Sequence, residues 1–267
     1  MEATSQVILR NRENVGEGPV LLVDAPADGM VSALHDAGLA VRASNQEFGA
    51  FKSLSAQGLA TAFEAVPSAN GDEALVVLRL PREKERLAMV LHALAASMNP
   101  DARLWVVGEK RAGINSAARL LERRFATVRK LDSARHCSLL EARAPRECPP
   151  FSLDDYATTL RVDARPDDLA LTSLPGVFAH GRLDRGSELL LNSLRQLRPA
   201  GRLLDFACGC GVLGLALLRE NEKIDLTLLD SSALAIESCR RSMDANGLRA
   251  SMLPSDGLAG VSERYDW

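Results

Sequence analysis

Hydrophobic and polar residues follow a repeating pattern along the first half of the chain, in which short apolar runs alternate with amphipathic stretches. The apolar runs predict buried strands. These strands are expected at residues 19–24, 39–43, 74–80, 103–107, 125–130 and 136–142. Apolar residues spaced by three or four predict helices after Asp28, over residues 82–98, and from Asn115 or Ser116 to Arg123. Residues 44–70 give no clear pattern. The alternation predicts a doubly wound α/β sheet.

The second half repeats this pattern after a segment with little periodicity. A helix is expected to begin at Ser187, with Leu190, Leu194 and Leu197 aligned on its apolar face. Strands are expected at residues 202–207, 224–230 and 249–253. Helices are expected after the first two of these strands, so this half also predicts an α/β sheet.

The openings of the two halves resemble each other. Residues 18–24 read GPVLLVD and residues 201–205 read GRLLD, but the first turn has one glycine where the second has three. We interpret the chain as a duplicated fold whose first copy has lost its ligand loop, although two βαβ openings can also look alike by convergence. Prolines mark the boundary between the halves. The expected domains are residues 1–145 and 176–267, with a linker over 146–175.

The glycine-rich turn of the second half indicates a nucleotide-like ligand. It reads GCGVLG at 209–214 and matches the dinucleotide pattern G-x-G-x-x-G, which is weak alone. Asp205 ends the preceding strand, where a carboxylate can hold the amino group of S-adenosylmethionine, whereas dehydrogenases are usually apolar there. Asp230 ends the next strand and suits ribose hydroxyls in either class of site. Asp256 is placed to accept a hydrogen bond from an adenine amine. These acids favour a methyl donor over a nicotinamide, and the alternative is that Asp205 and Asp256 only form turns.

Charge is distributed unevenly along the chain. The net charge is −3, from 32 basic and 35 acidic residues, but residues 103–135 are strongly basic. Such a stretch can contact a phosphate backbone, and the more common alternative is a solvated surface. Five cysteines without metal-type spacing fit a protein of the reducing cytoplasm. No apolar run approaches the length of a membrane span.

Several further motifs resemble a known family. SQVILR begins at position 5, VVGEKRAGINS at 106, KLDSARHC at 130, LPGVF at 174 and GRLDRGSELLL at 181. With the glycine turn and Asp230-Ser231, these motifs make the chain similar from end to end to the bacterial small-subunit ribosomal RNA guanine-N2 methyltransferases, the RsmC family. The middle and linker motifs are the most specific, because many methyltransferases share the glycine turn.

The resemblance implies two tandem Rossmann-like domains of the class I methyltransferase type. In the family, the first domain is degenerate and serves RNA binding and folding support. The second binds S-adenosylmethionine and methylates N2 of one guanine in the 16S rRNA of the small ribosomal subunit. No metal and no membrane are implied.

The resemblance also assigns roles to individual residues. The expected cofactor-binding residues are Phe178, Asp184, Asp205, Ala207, Gly209, Gly211, Asp230, Ser231 and Asp256. Ala207 departs from the family, in which the turn usually has a glycine at that position. The loop from Phe178 to Asp184 is expected to pack over the methyl donor. The expected RNA-binding residues are Lys110, Arg111, Arg119, Arg123 and Arg124.

Family members continue past the position of Trp267 into a strand and an Asn-Pro-Pro-Phe motif that positions the guanine amine. This motif is absent from the sequence, so no catalytic residue is expected in this chain. The second half supplies about three strands, fewer than a doubly wound sheet normally has. The sequence therefore predicts a fragment of a longer enzyme. The alternatives are a non-catalytic RNA-binding or ribosome-assembly module, and a methyltransferase for another RNA such as 23S rRNA.

Overall fold

The computed structural model describes all 267 residues and divides into two compact units, Met1–Leu153 and Asp154–Trp267. The first unit contains α1 (Ala3–Arg10), β1 (Val20–Val23), α2 (Met30–Asp36), β2 (Val41–Asn45), α3 (Phe48–Ala56), β3 (Thr61–Phe63), β4 (Leu75–Arg79), α4 (Lys84–Ser97), β5 (Arg103–Glu109), α5 (Ile114–Arg124), β6 (Phe125–Ala134) and β7 (Cys137–Pro145). None of the helices is both long and apolar enough to cross a membrane.

One seven-stranded sheet organises the first unit, in the order β3-β2-β1-β4-β5-β7-β6. The first five strands are parallel, and β7 runs antiparallel to both β5 and β6. The central strand β1 is VLLV and is buried throughout, as expected for a parallel strand covered on both faces. This order confirms the predicted doubly wound α/β fold.

Two parts of the first unit differ from the sequence prediction. Residues 44–70, which gave no clear pattern, contain α3 and β3. The helix α5 follows Gly113, whose φ of +92° ends the preceding turn, so neither Asn115 nor Ser116 is its cap. Ser116 lies inside the first turn, and its hydroxyl donates to the carbonyl of Gly113.

The second unit contains a parallel three-stranded sheet and a separate hairpin. Its elements are β8 (Thr158–Val162), β9 (Leu169–Ser173), α6 (Arg185–Leu197), β10 (Gly201–Phe206), α7 (Val212–Glu220), β11 (Ile224–Asp230), α8 (Ala233–Asn246) and β12 (Ser251–Pro254). The sheet order is β10-β11-β12. The side of β10 that faces away from β11 also forms a hydrogen bond, because the amide of Leu204 donates to the carbonyl of Trp267.

The β8–β9 hairpin lies within the segment that the sequence predicted to be a linker. The amide of Thr172 donates to the hydroxyl of Ser242 on α8, and the amide of Ala170 donates to the side chain of Asn246. The structure therefore places residues 158–173 in the second unit. Its boundary after Leu153 replaces the predicted linker over 146–175.

The helix α6 begins earlier than predicted and buries a different face. Asp184, not Ser187, is its cap, because the Asp184 carboxylate accepts hydrogen bonds from the amides of Gly186 and Ser187. Leu191 is buried, whereas Leu190 and Leu197 of the predicted apolar face are exposed.

Candidate functional site

The glycine turn follows the carboxyl end of β10 and is built from left-handed backbone. Ala207, Gly209 and Gly211 have φ values of +57°, +58° and +85°. A β-carbon on Gly211 would lie 2.7 Å from Leu215 Cδ1, so a larger residue does not fit there. Ala207 is the one residue of the three with a side chain, and it is exposed. The turn therefore presents nearly bare backbone at the edge where open α/β sheets bind ligands.

Asp205 lies beneath this turn and is almost completely buried. Its Oδ2 accepts a hydrogen bond of 2.8 Å from the amide of Gly214 in α7. A β-carbon on Gly214 would lie 2.9 Å from that oxygen, which explains the third glycine of the pattern. Burial, aided by the charge of Asp230, raises the pKa of Asp205 to about 6 despite the hydrogen bond from Gly214. The carboxylate has no cationic partner in the chain, so the site favours a positively charged ligand group.

Asp230 ends β11, the second strand of this sheet, and its carboxylate connects that strand to the glycine turn. One carboxylate oxygen accepts from the amide of Gly209 at 2.9 Å, and the other accepts from the amide of Ser232 at 2.9 Å. Each oxygen keeps a lone pair for a further donor such as a ribose hydroxyl. Ser231 is half-buried beside it, and Ser232 caps α8. Asp205, Asp230, Ser231 and the turn are thus brought together as predicted.

Asp256 follows β12 at the same edge of the sheet. Pro254 pairs with Asp230, and the amide of Ser255 donates to the carbonyl of Asp230. The Asp256 side chain is exposed and has no hydrogen-bond partner within the chain. This position is compatible with an adenine contact, which stays a prediction.

The segment between β9 and α6 approaches the turn through Val177. A β-carbon placed on Gly209 would lie 3.7 Å from Val177 Cγ1. Phe178 is 74% exposed. The ring of His180 lies within hydrogen-bond distance of the hydroxyls of Ser173 and Thr158, which anchors the segment to the hairpin. Asp184 caps α6, and this structural role is enough to account for an aspartate at that position. Its contact with the methyl donor stays a prediction.

Three buried thiols support the turn, and their arrangement was not predicted. Cys239 Sγ on α8 lies 3.3 Å from the carbonyl of Gly209 and 3.6 Å from Cys208 Sγ. Hydrogen bonding to Cys208 and burial raise the pKa of Cys239, and burial raises that of Cys210 to about 11. Cys239 and Cys210 therefore act as packing groups and not as reactive thiolates. Only the tertiary fold shows that residue 239 lies beside the turn.

The first unit has little free space at the sheet edge that corresponds to the glycine-turn edge of the second unit. The pairings Val23–Ser44 and Phe206–Leu229 place Asp24 at the position of Ala207 and Asn45 at that of Asp230. Asp24 forms an ion pair with Arg86. The helix α1 packs mainly against β5 and β7. Its residues Thr4, Ser5 and Ile8 line, together with residues of β1 and β4, a cavity of about 10 Å³, which has room for about one water.

The predicted RNA-binding residues lie on the first unit. Lys110 and Arg111 are exposed in the short helical turn before α5, and Arg111 forms an ion pair with Glu109. Arg119 and Arg123 are exposed on α5, and Arg124 is half-buried. These side chains provide positive charge at the surface, whereas Arg103 of the same basic stretch is largely buried and donates to the backbone carbonyls of Asn14 and Val15.

Comparison with known proteins gives consistent matches along the chain. The family described as "Methyltransferase small domain N-terminal" matches residues 5–160, and "Methyltransferase small domain" matches residues 168–267. Proteins named ribosomal RNA small subunit methyltransferase C are similar. The one from Pseudomonas syringae pv. syringae is 40% identical over 97% of this chain and 75% of its own length. The one from Stutzerimonas stutzeri is 42% identical, with the same coverages.

A solved structure extends these matches to the fold. The T. thermophilus 16S rRNA N2 G1207 methyltransferase (RsmC), in complex with AdoMet and guanosine, is similar with a TM-score of 0.84. It is 25% identical, and the match covers 99% of this chain and 72% of that chain.

Proposed function

The chain belongs to the ribosomal RNA small subunit methyltransferase C family, and from this membership we propose that it transfers a methyl group from S-adenosylmethionine to N2 of one guanine in 16S rRNA. The assignment of the methyl donor rests on the buried carboxylate of Asp205. This carboxylate has no cationic partner in the chain and lies beneath a glycine turn that has almost no side chains. We further propose that the protein acts in the cytoplasm on the small ribosomal subunit or its RNA.

The residues of the site fit this donor. The Asp205 carboxylate would pair with the methionine ammonium, because a buried negative charge is stabilised by a cation held in hydrogen-bond distance. Asp230 would accept the ribose hydroxyls through its remaining lone pairs. Ala207, Gly209 and Gly211 allow close approach to the backbone, and Asp256 would accept from the adenine amine. When bound, the donor supplies a methyl group on a positively charged sulfur.

We infer that the segment carrying Phe178 lies beside the bound donor, since Val177 already reaches the turn. The guanine amine needs acceptors that orient its lone pair toward the methyl group. By family resemblance these belong to the Asn-Pro-Pro-Phe motif, which the 267 residues do not contain. The residues present therefore bind the donor, and we assign none of them to the amine.

We also infer that the first unit serves RNA binding. The cavity at its ligand edge has room for about one water, so we assign its contribution to its surface. Lys110, Arg111, Arg119, Arg123 and Arg124 are the residues that the resemblance suggests, and all but Arg111 lack an ion-pair partner.

The proposed function is tested in the organism that encodes the protein. Deletion of the gene should remove one N2-methylguanosine from 16S rRNA, as measured by mass spectrometry of nuclease digests. The native gene should restore it, whereas Asp230→Asn should not. Asp225→Asn is the matched control, since Asp225 is exposed near the other end of β11. Loss of a methylated base from 23S rRNA, with 16S rRNA unchanged, would contradict the proposal.

A further inference from the structure

One buried carboxylate in the first unit gathers three arginines. Oε1 of Glu141 on β7 accepts hydrogen bonds of 2.9 Å from Nε of Arg129 and of 2.9 Å from Nε of Arg143. Oε2 accepts from the indole of Trp105 at 3.1 Å and lies 3.9 Å from Nη1 of Arg103. Strand pairing explains the grouping, because Arg129 lies opposite Glu141 and Arg103 lies opposite Arg143.

The exposure of these side chains differs from that of the ordinary ion pairs on this protein. Glu141 is 2% exposed, whereas Arg129 and Arg143 are 64% and 51% exposed. In surface pairs such as Arg240–Asp244, the acid is open to solvent as well. An approaching molecule therefore meets the positive charges of the cluster but not the negative one.

The cluster contains more arginines than are required to neutralise the charge of the Glu141 carboxylate. A single guanidinium neutralises Glu141, so three leave an excess charge of two on a small area. Arg103 and Arg143 lie directly opposite each other on neighbouring strands, an arrangement that costs stability through like-charge repulsion. Burial and the charge of Arg143 lower the pKa of Arg103, although Glu141 opposes this shift. An anion bound above the cluster would relieve the repulsion.

The hydrogen-bonding capacity of two arginines is also incomplete. Arg143 uses only Nε in this cluster, and both of its terminal nitrogens lack a partner in the chain. Arg129 uses Nε and one terminal nitrogen. Arg103 is different, because it donates to the backbone carbonyls of Asn14 and Val15 and is only 16% exposed. Arg129 and Arg143 are thus the outward donors, and Arg103 is a fixed support.

We propose that Arg129 and Arg143, oriented by Glu141, form a phosphate-binding site for the backbone of the ribosomal RNA substrate. The inference rests on the proposed function for the identity of the RNA. Neighbouring strands are about 4.8 Å apart, so guanidinium groups on β6 and β7 can bind one phosphate together. Thr127 lies opposite Arg143, is exposed, and adds a hydroxyl beside the pair. The edge position of β6 leaves the site open along one side.

The test measures binding of the full chain to a 16S rRNA fragment across a range of salt concentrations. Arg129→Gln and Arg143→Gln should each weaken binding about tenfold at moderate salt. Each should also reduce the slope of log K against log salt by about one, and the double variant by about two. Arg129→Lys should keep the slope but lose part of the affinity, since it retains the charge and loses the planar fork.

The matched control is Arg82→Gln, which removes an exposed arginine of the same unit that has no ion-pair partner. It should change binding much less than Arg129→Gln. Equal losses in both variants would mean that only overall charge matters and would overturn the inference. Wild-type binding by the double variant, or no RNA binding by the unaltered chain, would overturn it too. The rRNA methylation assay tests the proposed function separately. S-adenosylhomocysteine binding should be unchanged in both arginine variants, which shows that the donor site is intact.

Discussion

At the scale of single residues, Ala207 is the strained position of the glycine turn. Its φ of +57° is costly for a residue with a β-carbon. We expect Ala207→Gly to stabilise the second unit by roughly 0.5–1 kcal/mol, the relief of strain being partly offset by a more flexible unfolded chain. Urea unfolding followed by circular dichroism measures this change. Ala216→Gly within α7 is the control and should destabilise by about 1 kcal/mol or more. A destabilised Ala207→Gly variant would contradict the argument.

The contact that we propose between Asp205 and the methyl donor would make donor binding depend on pH. Its pKa of about 6 in the folded chain lies above the ordinary value of 3.8, so the folded state binds a proton more tightly than the unfolded state. The stability of the second unit should therefore fall as pH rises from about 4 to about 6. Asp205→Asn removes this dependence and should stabilise the unit at pH 7.5 by roughly 2–3 kcal/mol, because the amide oxygen can still accept from Gly214.

The same substitution should impair donor binding. In the native chain, affinity for S-adenosylhomocysteine should rise from pH 5 to pH 7 as Asp205 ionises, and calorimetry measures this. Asp205→Asn should bind at least tenfold more weakly and show no such rise. A variant that is less stable at pH 7.5 would show instead that the carboxylate is ionised and well paired in the free protein.

Part of the site could be predicted residue by residue from the sequence. Asp205 and Asp230 each end an apolar run, and a strand end in a parallel sheet lies at the ligand edge whatever the rest of the fold does. The support of the turn by Cys239 could not be predicted, because it depends on how α8 packs. The same applies to Glu141, whose three arginines come from three different strands.

At the scale of elements, Glu141 determines how β5, β6 and β7 are held together. Burial raises its pKa, but hydrogen bonds from Arg143, Trp105 and Arg129 outweigh burial and hold the pKa at about 2. Because the ordinary value is 4.5, this group stabilises the fold above about pH 4.5, and the contribution is lost as pH falls through 2. Its size is roughly 3 kcal/mol.

Glu141→Gln should therefore destabilise the first unit by roughly 3 kcal/mol or more at neutral pH, since it leaves uncompensated arginines. Fluorescence of the buried Trp105, measured in a Trp267→Phe background, reports unfolding in urea. Glu109→Gln is the control and should have little effect, because Glu109 pairs with Arg111 at the surface. A Glu141→Gln variant of native stability would show that the cluster contributes nothing to the fold.

Elements were predictable where apolar runs are long and unbroken. The predicted strand at 224–230 coincides with β11, and six of the seven strands of the first sheet lie within a few residues of their predicted positions. The exception is β3, which was not predicted. The hairpin β8–β9 was missed because its strands, TTLRV and LALTS, are five residues long and contain threonine and serine, and β8 buries only Val162. The start of α6 was misplaced because Asp184 and Ser187 are both good caps, and only the backbone shows which one is used.

At the scale of the whole molecule, duplication of the fold was predictable and its consequences were not. In both units the first three strands of the parallel sheet lie side by side in the same order, β1-β2-β3 and β10-β11-β12, as the similar openings suggested. The sequence did not reveal that Thr4, Ser5 and Ile8 of α1 help to line the ligand edge of the first unit, because this role depends on how α1 packs on the sheet.

The strand order of the first unit has a consequence for synthesis of the protein. All seven strands of that sheet come from residues up to Pro145, so no later residue is needed to complete it. A bacterial-type ribosome adds roughly 5–20 residues per second, and the remainder of the chain takes on the order of 10 s to follow. The first unit therefore has time to fold before the second unit leaves the exit tunnel. The basic surface that we propose binds RNA would then be complete while the nascent chain is still attached to a ribosome.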